Sequence, residues 1–291
     1  MARLHAFQPH TLARMLQLTL LLAVPEYLQA EEPEFEPIHW AFSSFFGTGW
    51  YQVHDNRSVF VLRMTPRQTI RESGISESGE GEFGITIKYP LTLGLHGIDD
   101  FSEIIQSDNF GTISFTPGIE LEIPINQRWY LRPFANVGWG TEFDSSNSVW
   151  IYYAGVKSRY TFPGQKFDWS LLSSIYYAGY TPDTGRSDRL AVAQLGVEFT
   201  QPINARFLGR AVNLNYNFMY SFLGRDLHFG LPDGSFDPIE DQFEAGIALS
   251  FRNRPYKVWF YKVHRLGLGY KFSSDGQFKA ITINFRSWFT S

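Results

Sequence analysis

Residues 212–222 read Val-Asn-Leu-Asn-Tyr-Asn-Phe-Met-Tyr-Ser-Phe. Val212, Leu214, Tyr216, Phe218, Tyr220 and Phe222 alternate one for one with Asn213, Asn215, Asn217, Met219 and Ser221. A period of two belongs to an extended strand, whose successive side chains point to opposite faces. The pattern returns on both sides of this stretch. Phe243, Ala245, Ile247, Leu249 and Phe251 alternate with Gln242, Glu244, Gly246, Ala248 and Ser250. Leu266, Leu268, Tyr270 and Phe272 alternate with Arg265, Gly267, Gly269 and Lys271. At the end of the chain, Ile281, Ile283, Phe285 and Phe289 oppose Thr282, Asn284, Arg286 and Trp288. Shorter runs near 45–53, 58–70, 83–91, 112–123, 129–140, 149–162, 167–179 and 191–199 bring the count to about twelve strands of roughly 9 to 14 residues, the length and even number of a transmembrane barrel. Longer connections expected at 72–82 and 252–262 leave ten strands as an alternative.

The polar face separates a barrel from a soluble sandwich. It carries Gly, Ser, Asn, Thr and isolated ionic residues, as a crowded wet lumen does, where a water-facing sheet would carry dense charge. Charged residues are only 19% of the chain, below the roughly 25% of ordinary soluble domains. Aromatics are 17% and recur at strand ends, among them Trp50, Trp129, Trp139, Trp150, Phe162, Phe251, Phe272 and Phe289, as interface girdles require. The expected fold is an all-β transmembrane antiparallel β-barrel over residues 42–291.

Ahead of it, residues 1–30 read as a signal peptide. Arg3 and Arg14 precede an apolar stretch from Met15 to Val24, with cleavage expected after Ala30. About ten apolar residues suit a signal segment and fall short of the roughly twenty a membrane helix needs. Residues 31–41 form an expected periplasmic segment able to enter the barrel or lie against its mouth. Export then places the chain in the cell outer membrane, with lipid as its surroundings. Tight turns at Asn126-Gln127, at 163–166 and near 200–208 are expected on the periplasmic side, opposite outer loops at 54–56, 96–110, 142–148, 180–190, 223–241 and 273–277. Pro117 and Pro133 each remove a ladder hydrogen bond and predict local irregularity.

Phase along each strand gives the lumen lining. Arg63, Arg67, Arg71, Lys88, Arg132, Lys157, Arg159, Arg265, Lys271 and Arg286 face inward, against Glu120, Glu122, Asp168, Glu198 and Glu244. An excess of bases favours anions wherever water passes, whereas paired charges simply fill the interior. With a net charge of −4, the chain offers no electrostatic case for nucleic acid. No cysteine is present, and no metal spacing or cofactor motif is expected.

Two rim sites bear on catalysis. Gly185-Arg186-Ser187-Asp188 is similar to a loop of outer-membrane phospholipase A, a family that requires a His-x-Ser pair just upstream. No histidine lies between His96 and His228, so Ser187 lacks a base and is a weak nucleophile. Asp226 and His228, with Asp99 and Asp100, are similar to the carboxylate and histidine set of the omptin proteases, although such residues are ordinary in polar loops. The expectation is a non-enzymatic barrel of structural, binding or small-solute channel type, with a rim hydrolase as the alternative.

The mature chain resembles the solitary autotransporter-like outer-membrane barrels, on the residues Arg265-Leu266-Gly267-Leu268-Gly269-Tyr270-Lys271-Phe272 and the closing stretch Phe278 to Phe289. It departs from them in carrying Thr290-Ser291 after the last aromatic and in showing no passenger domain. The resemblance implies insertion by the barrel-assembly machinery, read from the last strand. Without a passenger, the secretion role of true autotransporters is not carried over.

Overall fold

A computed structural model describes residues 46–53, 57–77, 81–96, 110–143, 148–183, 187–230, 236–258, 261–287 and 289. In chain order the strands are β1 (Gly49–Val53), β2 (Arg57–Met64), β3 (Arg67–Arg71), β4 (Gly74–Ile75), β5 (Gly81–Glu82), β6 (Gly84–Lys88), β7 (Leu91–His96), β8 (Phe110–Phe115), β9 (Gly118–Asn126) and β10 (Trp129–Glu142). They continue as β11 (Ser148–Phe162), β12 (Asp168–Pro182), β13 (Asp188–Phe207), β14 (Arg210–Gly230), β15 (Phe236–Phe251), β16 (Tyr256–Val258), β17 (Tyr261–Val263), β18 (Arg265–Phe272) and β19 (Phe278–Asn284).

Every pairing is antiparallel, and β1 hydrogen-bonds both β2 and the last strand, β19, so the sheet closes. Around the ring run β1, β2, β7, β8, β10, β11, β12, β13, β14, β15, β18 and β19, a twelve-stranded barrel. Ten strands is excluded, because the two long connections fold into small side hairpins. Residues 72–82 hold the β4–β5 pair, and 252–263 hold β16–β17.

Three neighbouring strands are each broken once by proline. β2 runs into β3 across Pro66, β6 into β7 across Pro90, and β8 into β9 across Pro117. Proline has no N–H to give to the ladder, and the seam is carried by the proline carbonyls. Pro66 accepts from Tyr89 N at 2.9 Å, Pro90 from Thr116 N at 3.0 Å and Pro117 from Val137 N at 3.1 Å. The irregularity expected at Pro117 is therefore present; Pro133 stays in register opposite Val156 on β11, while on its other side the pairing with β9 skips Arg132 and Pro133.

The expected connections at 200–208 and 223–241 are mostly strand. β13 and β14 pair down to Phe207 opposite Arg210, leaving a two-residue turn at Leu208 and Gly209 with φ of 51° and 76°. Two positive φ values give the I′ twist that suits a hairpin; Leu at its first position hid it from sequence. At the opposite end β14 and β15 extend to Gly230 and Phe236 through a register shift. The end with the turns at 127–128, 163–167 and 208–209 is here the turn end; the other is the loop end.

The outward row is apolar. Val137, Trp150, Leu195, Phe218, Leu268 and Ile281 are each more than half exposed, a face only a hydrocarbon surround stabilises. Aromatic contacts flank it. Phe162 stacks on Trp169 at 3.9 Å near the turn end, and Phe243 lies 5.0 Å from Tyr220 and 5.4 Å from Phe272 toward the loop end. This is a transmembrane barrel.

The last strand stops earlier than its alternation predicts. β19 ends at Asn284, and Phe289 leaves the wall to lie 3% exposed against Leu172, Met219 and Tyr130 inside the barrel. Phe289 is thus a lumen residue and takes no place in the girdle. At the other terminus the strand expected from residue 45 begins at Gly49, and Phe46 folds back to stack on Tyr51 at 5.0 Å. The proposed signal peptide and the segment 31–41 lie outside the described residues.

Candidate functional site: the lumen

Toward the loop end, side chains from opposite walls meet as one apolar cluster. Tyr51 and Val61 on β1 and β2, Val149 and Ile151 on β11, Leu190 and Val192 on β13, Leu223 on β14 and Phe278 on β19 are all buried in it. Glycines on the inner face thin the wall so that large side chains can cross. A Cβ on Gly155 would stand 2.4 Å from both Tyr176 Cβ and Ile175 O.

Toward the turn end the lining is ionic. Glu120, 3% exposed, receives Arg67 at 3.1 Å, Lys88 at 3.3 Å and Arg132 at 3.2 Å. Arg132 also bonds Glu122, which accepts from Ser73 as well, and its guanidinium lies over the Phe289 ring at 4.7 Å. Lys88 and Lys157 each lie over the Phe134 ring, at 4.7 and 5.6 Å. Across the lumen Glu198 bonds Arg265 and lies 3.7 Å from Arg159, and Arg265 donates to Asn217 at 3.0 Å. Lys271 meets Glu244 at 3.4 Å. Buried carboxylates this hemmed in by bases hold the strands in one arrangement, because removing either partner leaves an uncompensated charge.

Between the two layers lies a cavity of about 230 Å³. Arg63, Lys88, Lys157, Arg265, Lys271 and Arg286 reach its wall, and Glu244 is the only carboxylate among its described lining residues. Arg63 donates to the Tyr153 hydroxyl at 2.9 Å. Among the described residues no carboxylate pairs with Arg63.

Two residues expected in the lumen lie elsewhere. Arg71 pairs at 3.7 Å with Glu82, both well exposed, and covers the Phe83 ring at 4.6 Å; the register shift between Thr69 and Arg71 turns it out of phase. Asp168 is exposed and accepts from Gly164 N at 3.0 Å, closing a turn.

The rim residues form no described constellation. Ser187 is exposed at the start of β13. Asp226 and His228 occupy β14, where the backbone alone is described, and Asp99 and Asp100 lie outside the described residues. Among the described residues no group of three metal-ligating side chains converges. Sequence reasoning could place charges by phase, but it missed the apolar layer. Its one visible signal is the loss of alternation in Val149-Trp150-Ile151-Tyr152-Tyr153, where both faces are apolar.

No family model matches the chain, and no curated protein does. Among solved structures it is similar to the β domain of the Bordetella autotransporter BrkA, at a TM-score of 0.50 and 10% identity over 81% of this chain and 91% of that one. The chain has the autotransporter β-domain fold. The transport unit of the autotransporter AIDA-I from Escherichia coli aligns at a TM-score of 0.49 and 10% identity, over 96% of this chain and 100% of that one. At such identity the autotransporter-type barrel is a statement of fold alone.

Proposed function

We propose that this chain is an integral outer-membrane barrel, exported by a cleaved leader and inserted by the barrel-assembly machinery, that binds in its lumen and neither conducts nor catalyses. The observation that carries this reading is the apolar layer at the loop end. Side chains from opposed strands pack there into one buried cluster, and hydrophobic constrictions of that kind stop ions by dewetting. The machinery would read the outward row of β19, Ile281 and Ile283, before the chain turns inward.

The excess of bases at the cavity favours one second reading, an anion-preferring channel. Refolded full-length protein in a planar bilayer separates the two. Silence, with heat-modifiable migration on a gel proving that the barrel is folded, supports the closed barrel. Discrete openings with an anion-directed reversal potential in asymmetric salt would replace it with the channel.

A further inference from the structure

The cavity has two unlike walls. On one side Lys271 of β18, Thr282 of β19 and Arg63 of β2 line a nearly contiguous stretch of the ring. On the other, Tyr176 of β12, Leu190 and Val192 of β13 and Leu223 of β14 line a largely apolar one, with Gln194, Asn217 and Ser221 beside them on the same strands. The polar side holds donor capacity the protein leaves unused. Among the described residues, the hydroxyl of Thr282, 1% exposed, and the Nε of Arg265, 4% exposed, have no hydrogen-bond partner. Buried polar atoms in native proteins are nearly always satisfied, so orphans beside a cavity point to something that fills it. Water alone answers the polar wall and not the apolar one. A bare anion answers the charge but leaves the apolar side unmatched.

Resting on the closed-barrel reading, we propose that the chamber binds a small amphiphilic organic anion, a phosphate monoester bearing one aromatic ring or a short alkyl group. Its oxygens lie toward Arg63, Lys271 and Thr282, and its apolar part lies against Leu190, Val192 and Leu223. A volume of about 230 Å³ lies just below the ~300–1,000 Å³ of ordinary small-molecule pockets, the scale of a ligand with one ring and its head group.

Phenyl phosphate is the probe. Calorimetric titration into the refolded full-length chain is expected to give one site, at least tenfold tighter than for inorganic phosphate, with no binding of phenyltrimethylammonium. Arg63→Gln is expected to weaken phenyl phosphate at least tenfold with heat-modifiable migration unchanged. Thr282→Val, which keeps shape and removes only the hydroxyl, is expected to weaken it severalfold and serves if Arg63→Gln fails to fold. Equal affinity for inorganic and phenyl phosphate, indifference to Thr282→Val, or no binding to a folded and electrically silent barrel would overturn the proposal while leaving the closed barrel standing. Channel openings would remove that reading itself.

Discussion

Glu120 is the residue on which the ionic half of the lumen turns. Three cations from three strands, Arg67, Lys88 and Arg132, converge on one carboxylate that is 3% exposed. Glu120→Gln keeps the shape and removes the charge, so the cations face one another across a neutral amide. Breaking a buried ionic set in this way costs about 3–5 kcal/mol. The variant is expected to unfold at clearly lower guanidinium concentration than wild type when refolded in vesicles, and an unchanged midpoint would deny Glu120 that role. Inward phase for this residue was readable from Ile119, Leu121 and Ile123 on either side of Glu120 and Glu122. What alternation could not supply was the partners, since these depend on which strands become neighbours and at what shear.

Among the elements, the β13–β14 hairpin and the C-terminal turn show where local sequence and structure part company. Leu208 sits at φ 51° in a two-residue turn, a conformation that costs an L-residue with a Cβ about 1–2 kcal/mol. Leu208→Asn supplies the residue such turns prefer and is expected to raise stability by about 1 kcal/mol, read as a higher denaturant midpoint. A lower midpoint would mean that the Leu208 side chain contributes more to packing than its 54% exposure suggests. At the C-terminus, alternation through Ile281 and Ile283 carries on in the sequence to Phe285 and Phe289, and nothing local marks Asn284 as the last strand residue. The inward turn goes with tertiary contacts, Phe289 packing on Leu172 and Met219 beneath Arg132. Phe289→Ala deletes a buried ring and is expected to cost about 3–5 kcal/mol. Had Phe289 faced lipid on the strand, the same change would lower stability far less, so the size of the shift reports which side of the wall it occupies.

For the molecule as a whole, two apolar surfaces compete for the same signal. A barrel sequence normally announces itself by one apolar row facing lipid, and that row, from Val137 to Ile281, was legible because each strand repeats it. The second apolar surface, inside the loop end, is built from residues such as Val61, Leu190 and Leu223, each belonging to a different strand and separately unremarkable. Only closure of β1 onto β19 brings Tyr51 into one cluster with Ile151. If that layer is the seal, thinning it from both sides at once opens the lumen without touching the ionic layer below. The double variant Tyr51→Ala with Ile151→Ala is expected to fold to a barrel of lower stability and to conduct in planar bilayers where wild type is silent. Its current is expected to favour anions, because the next groups along the path are Arg63 and Lys271. Current that favours cations would place the controlling charges elsewhere, and continued silence in a folded double variant would move the seal from the apolar layer to the salt-bridged layer around Glu120 and Glu198.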